Sequence, residues 1–171
     1  LLVYIIKHVL ENMSAELKIL DREISSLVKI KAPFPRISYT ECINILKNDS
    51  FKINWGDDFG APEETYIGEQ FNQPIIVHRF PSAIKAFYMK RDSDGNALGV
   101  DIIAPTAGEI VGGAIREDDE ETLRQRIIDH DLPLDAFSWY LDLRKFGSVP
   151  HGGFGLGLER TISWISGVEH V

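Results

Sequence analysis

The chain has 171 residues, 44% of them apolar and 26% charged, which is enough for a domain with its own hydrophobic core and excludes a disordered or fibrous polypeptide. Eighteen basic against 26 acidic side chains leave a net charge of -8, which argues against a module that holds nucleic acid by bulk electrostatics, though not against a local basic strip. The single cysteine, Cys42, can neither staple the fold nor build a cysteine-rich zinc site, so a reducing cytoplasm is the expected home.

Leu1 to Leu10 is the most apolar stretch, but it is too short to span a bilayer and lacks the basic leader of a signal peptide. Leu2, Ile5, Ile6, Val9, Leu10, Met13, Leu17 and Leu20 recur at helical spacing and predict one amphipathic helix. It opens in mid-pattern without a capping residue, and Val171 follows directly on a helical run, so the expectation is a piece of a longer protein. Ala32-Pro33-Phe34-Pro35 interrupts regular structure, and Ser38-Tyr39-Thr40-Glu41 can cap a short helix through Leu46. The polar stretch with Gly56, Gly60 and Pro62 reads as a surface loop.

Pro74 to Phe80, Ala86 to Arg91, Ala97 to Ile103 and Glu109 to Ile115 carry the β-branched and aromatic residues of strands, and Asp94-Gly95 marks a turn. Gly112 and Gly113 point to a bulge or to close approach of a ligand. Helices are expected near Asp119 to Asp129 and Asp135 to Lys145, then a glycine-rich strand or turn, His151 to Gly157, that leads into a final helix. Sequential strands joined by tight turns imply an α+β fold, an antiparallel sheet flanked by helices.

Two segments can carry chemistry. Glycines at 152, 153, 155 and 157 leave little side chain on a strand, so a flat ligand can lie on the backbone, and Arg160 opens the next helix where a guanidinium can meet phosphate or stack on a base. Spacing alone fits a glycine-rich turn with a surface arginine equally well. The segment is no dinucleotide-binding fingerprint, since the βαβ repeat is missing. Asp101 and Glu109, on neighbouring strands, can converge on one divalent cation, for which magnesium is suited because it takes hard oxygen ligands and keeps waters or phosphates. Arg116 can offer a fixed fork to a carboxylate or carboxamide oxygen. An ordinary hairpin with solvated carboxylates is the alternative, and it is the commoner outcome for an isolated Asp/Glu pair.

Other candidates carry less. Lys85 can meet an anion, and His151 can orient the glycine turn through a hydrogen bond. His8, His78, His130 and His170 lack metal-ligand spacing, so no zinc site is expected. Cys42 reads as a small buried residue, Glu117 to Glu121 as a solvated helix start, and Trp139 and Tyr140 as core.

The blocks WGDDFG, FPSAIKAFYM, VDIIAPTAGEIVGGAIRE and RKFGSVPHGGFGLGLER, in this order, resemble the aspartate–asparagine branch of the class II aminoacyl-tRNA synthetases, nearest to its asparaginyl members. GFGLGLER resembles the third signature motif of that class. The resemblance implies that residues 1–171 are the C-terminal portion of a class II catalytic domain, without the first two motifs and the anticodon-binding domain. It implies that Asp101 and Glu109 hold magnesium on the ATP phosphates and that Arg116 reads the amino-acid side chain. Arg160 would be the catalytic arginine that packs on the adenine and reaches the γ-phosphate, and Gly153, Gly155 and Gly157 the floor of the nucleotide pocket. The implied substrates are ATP, asparagine and tRNA(Asn), and the implied full-length enzyme is a cytoplasmic homodimer, with the fragment alone inactive. An aspartyl enzyme of relaxed specificity, an amide-forming paralogue that uses the same adenylate, and a non-catalytic paralogue stay open.

Overall fold

The computed structural model describes residues 1–168, and the expectations that involve His170 and Val171 lie outside them. Among the described residues, eight α-helices and five strands follow in chain order: α1 (Leu2–Asn12), α2 (Ser14–Ile19), α3 (Ser25–Val28), β1 (Arg36–Ser38), α4 (Tyr39–Asn48), α5 (Ala61–Glu69), β2 (Ile75–Pro81), β3 (Asn96–Ala104), β4 (Gly108–Ile115), α6 (Glu120–Asp129), α7 (Ser138–Lys145), β5 (Gly152–Leu156) and α8 (Leu158–Ser166). The strands form one sheet in the order β1-β2-β3-β4-β5.

Four neighbouring strands, β2 to β5, pair antiparallel as the tight turns imply, but β1 pairs with β2 in parallel, so the sheet is mixed. The cause is a crossover. A parallel pair needs a long connection, and here α4 and α5 supply it. α4 starts as the sequence predicts: the Ser38 side chain accepts from the Glu41 backbone N–H while the Glu41 carboxylate accepts from Ser38 N–H. α5 replaces part of the expected loop. Gly60 and Pro62, read as loop residues, sit at the helix start, where proline's missing N–H costs nothing.

Two other expectations change. The first amphipathic helix is broken at Met13 (φ −123°, ψ 29°) into α1 and α2. Ala86 to Arg91 is not a strand of the sheet; it makes two single bridges, Met89 to Arg116 and Arg91 to Ala97. The Lys90 N–H donates to the Ile115 carbonyl and the Lys90 carbonyl accepts from Leu98 N–H, so the segment is divided between two strands and forms a ladder with neither.

The faces of the sheet differ. On one, Tyr39, Cys42, Ile43 and Leu46 of α4 and Ile67 of α5 pack on Ile75, Val77, Phe80 and Ile103. Burial pushes the Cys42 thiol up to about 12, which makes it an inert core group. On the other face, Leu2, Ile6, Trp164 and Ile165 pack on Ala104, Ile110 and Val111. A third cluster joins Leu123, Ile127 and Leu141 of α6 and α7 to Phe87 and Tyr88, although Trp139, expected in a core, is 62% exposed. None of the helices among the described residues is long and apolar enough to cross a membrane.

Gly68 sets the spacing between α5 and the sheet, since a β-carbon there would lie 2.9 Å from the Ala104 carbonyl oxygen. Gly68→Ala is expected to lower unfolding stability by about 1–3 kcal/mol through overpacking, read from the urea midpoint at constant m-value.

Candidate active site

The face of the sheet that α4 and α5 cover over β2 and β3 opens beyond the start of β4, which α5 still reaches through Glu64, and Gly155 on β5 is exposed. A row of paired residues, Asp101, Gly112 and Gly155, crosses it from β3 to β5. A β-carbon at Gly155 would meet no heavy atom within 4 Å, so the row ends on open backbone. This gives the glycines their purpose: a side chain at either position would stand in the space above the floor.

Glu109 would face away from Gly112 in a regular strand, because side chains alternate. The register between β3 and β4 shifts between Ile102 and Ile103, which leaves Ile110 as an extra residue on β4. Ile110 and Val111 both enter the core on the opposite face, and the parity of Glu109 is reversed. A β-carbon at Gly112 would clash with Glu109 Oε1 and lie 3.7 Å from Asp101 Oδ1. The bulge anticipated at Gly112 and Gly113 is therefore at Ile110, and its effect is to bring the two carboxylates together.

Neither carboxylate is relaxed. Asp101 is 9% exposed and accepts from Lys85 Nζ at 2.7 Å, and that ammonium also lies over the Phe80 ring at 3.8 Å. Burial raises the Asp101 carboxyl above its usual range, and the Lys85 charge offsets part of that. Glu109 is raised first by burial and then by the charge of Asp101, and its side chain accepts no hydrogen bond from the described residues. Two crowded oxygen donors with an open glycine beside them fit a hard divalent cation that completes its shell with phosphate or water. No group of three or more His, Cys, Asp or Glu among the described residues is arranged to hold a metal, so the pair would need those outside ligands.

Arg160, on the first turn of α8, donates from Nη1 to the Glu109 carbonyl at 2.8 Å and lies 3.3 Å from Glu64 Oε2. Glu64 also accepts from the Glu109 N–H at 2.9 Å, so one carboxylate of α5 ties the β4 backbone to the arginine. Glu64 was missed because the segment containing it read as a loop. A glycine followed three residues later by glutamate, Gly60 to Glu63, is the local signal that reveals the helix. Gly157 lies beside this arginine, with its β-carbon position 3.8 Å from Arg160 Cβ.

Arg116 lies at the other end. Its guanidinium stacks on Tyr88 at 4.8 Å from the ring centroid, and its Nη2 is 3.3 Å from the β-carbon position of Gly153. Its backbone N–H donates to the His151 carbonyl at 2.9 Å, and His151 Nδ1 lies 2.8 Å from the Val149 carbonyl, so His151 serves the turn. Gly153 and Gly157 are four residues apart on β5 and the residue after it, about 13 Å of extended chain, and an arginine stands at each. The sequence candidates Asp101, Glu109, Arg116, Gly153, Gly155, Gly157 and Arg160 thus border one open strip. Lys85, Glu64 and Tyr88 join them.

The charged form of Glu109 is disfavoured by its surroundings. Glu109→Gln is therefore expected to raise the melting temperature of the cation-free protein, checked by calorimetry with a chelator present.

Comparison with known proteins follows the same lines. The family model for class II tRNA synthetases (D, K and N) matches residues 1–171. The asparagine–tRNA ligases of Desulforamulus reducens and Pelotomaculum thermopropionicum are 54% and 51% identical, over 98% and 100% of this chain. The chain spans 40% of the length of each. Asparaginyl-tRNA synthetase from Pyrococcus horikoshii, solved in complex with asparaginyl-adenylate, superposes with a TM-score of 0.95 at 43% identity, covering 98% of this chain and 39% of that one. The aspartyl-tRNA synthetase of Entamoeba histolytica gives a TM-score of 0.85 at 29% identity, over 97% of this chain and 36% of that one. The blocks quoted from the sequence, the mixed sheet with its glycine floor and the match over every residue agree: this chain belongs to the class II tRNA synthetase family of the D, K and N enzymes.

Proposed function

We propose that residues 1–171 form the C-terminal portion of the catalytic domain of a longer asparagine–tRNA ligase, which activates asparagine with ATP and transfers it to tRNA(Asn). The observation that carries this reading is the open strip itself, with a guanidinium at each end and a carboxylate pair beside its glycine floor. The similarity to asparagine–tRNA ligases supports asparagine as the amino acid.

In this reading the asparagine carboxylate attacks the α-phosphorus of ATP in line, the bond to the β-phosphate breaks, and asparaginyl-adenylate and pyrophosphate form. A ribose hydroxyl at the 3′ end of the tRNA then takes the asparaginyl group and releases AMP. The protein contributes position and charge to the first step, and no covalent bond of its own. Arg116 offers its fork to the side-chain oxygen of asparagine, and the Tyr88 ring packs against that guanidinium. Arg160, half exposed and tethered by Glu64 and the Glu109 carbonyl, is placed to stack on the adenine and reach the γ-phosphate. Gly153, Gly155 and Gly157 let the nucleotide lie against the backbone. Asp101 and Glu109 would hold magnesium, which when bound supplies charge neutralisation on the ATP phosphates. The accompanying reading of a homodimeric, cytoplasmic full-length enzyme rests on the family resemblance.

Amino-acid-dependent ATP–pyrophosphate exchange by the full-length protein tests this directly. Exchange is expected with asparagine and not with aspartate; exchange with aspartate alone would replace the reading by an aspartyl enzyme, and none with either would refute an adenylate-forming site. Asp101→Ala and Arg160→Ala are each expected to lower the exchange rate at least about tenfold, roughly 1.4 kcal/mol of barrier.

A further inference from the structure

The acidic run after β4 reads in the sequence as a solvated helix start, and for most of it that holds: Asp119 caps α6 by accepting from Thr122 N–H, with Glu120 and Glu121 in the first turn. Glu117 is different. It is 4% exposed, and its carboxylate pairs with Arg126 Nη2 at 2.8 Å, with the Arg126 side chain 10% exposed. Glu117 Oε1 accepts from the backbone N–H groups of Asp118 and Asp119, and Arg126 Nη1 donates to the Met89 carbonyl at 2.6 Å.

These contacts surround the two residues that present the fork. Met89 is bridged to Arg116, and the Glu117 N–H donates to the Tyr88 carbonyl at 2.8 Å. The Glu117 carbonyl accepts from Arg144 Nε at 3.0 Å, which ties the same turn to α7. The segments that carry Arg116 and Tyr88 are thus joined by direct backbone bonds, and the buried ion pair adds a side-chain tie between the same two segments. Burying two charges is expensive, and a hydrophobic pair of similar volume would serve packing alone at least as well. What an apolar pair cannot do is bond to a carbonyl on the 86–91 segment and to amides after β4 at once, fixing the distance between them.

We propose that Glu117 and Arg126 are positioning residues for amino-acid recognition: their buried ion pair holds Arg116 and Tyr88 in the geometry in which the guanidinium meets the side chain of asparagine. This rests on the reading of Arg116 as the amino-acid-binding residue. The pair lies away from the Arg160 end of the strip, so its effect falls on asparagine and not on ATP. A recognition group displaced by about 1 Å can cost on the order of 100-fold, so small rearrangements here are visible in kinetics.

The test is pyrophosphate exchange by the full-length protein carrying Glu117→Gln, Arg126→Lys or Arg116→Lys, with KM measured separately for asparagine and ATP. Leu46→Ala, in the core beneath α4, controls for loss of stability, and melting curves accompany each variant. Glu117→Gln is expected to raise the KM for asparagine at least about tenfold while the KM for ATP stays within about twofold. Arg126→Lys keeps an ion pair but not the Met89 contact, and should fall between that variant and the parent; it carries the test if Glu117→Gln does not fold. A rise in both KM values together, or the same kinetic change in Leu46→Ala, would reduce the pair to a structural role. Unchanged asparagine KM in both pair variants, with a raised value in Arg116→Lys, would overturn this proposal alone. Unchanged asparagine KM in Arg116→Lys would instead overturn the role of Arg116, and the proposal with it.

Discussion

Two carboxylates, buried Asp101 and half-buried Glu109, flank Gly112 on one face of the sheet, close enough that the charge of Asp101 disfavours the charge on Glu109. Such an arrangement costs free energy in the folded protein, and the surrounding structure is organised to sustain it. Lys85 neutralises Asp101 from one side, and Arg160 approaches the Glu109 backbone from the other. Gly112 leaves the space between the carboxylates free, and the extra residue at Ile110 turns Glu109 onto the shared face. Removing the bulge would bury the glutamate against Trp164 and Ile165 and leave Asp101 alone.

The sheet's two faces divide the labour of stability and chemistry. α1 and α8 cover the back of β3 and β4, while on the front α4 and α5 cover β2 and β3 and reach only the start of β4, through Glu64. The site is therefore built on paired strands, with hydrogen-bonded backbone as its floor. In the proposed reaction between two anions, cations tethered along such a floor would need little reorganisation as charge develops.

Much of this was legible in the residues. The capping box at Ser38 and Glu41, the strands β2 to β5 and the charged and glycine positions that line the strip all follow from local chemistry. The loop expected around Gly60 and Pro62 proved to be α5, because proline is tolerated at a helix start and the segment has little amphipathic contrast. The strand expected over Ala86 to Arg91 failed for another reason. Its residues favour extended backbone, but its hydrogen bonds go to two different strands.

Residue types and their order thus established which groups carry charge, where the backbone is bare, and which family the blocks resemble, since these are properties of short segments. The parallel β1–β2 pair, the ties from Glu64 to Arg160 and Glu109, and the burial of Glu117 were set by contacts between distant segments. Arg160 and Glu64 are 96 residues apart, and no local spacing reports such a pair. Whether a carboxylate is solvated or shut between helices depends on what packs above it. That is why Glu117 and Glu121, four residues apart in one acidic run, have opposite environments.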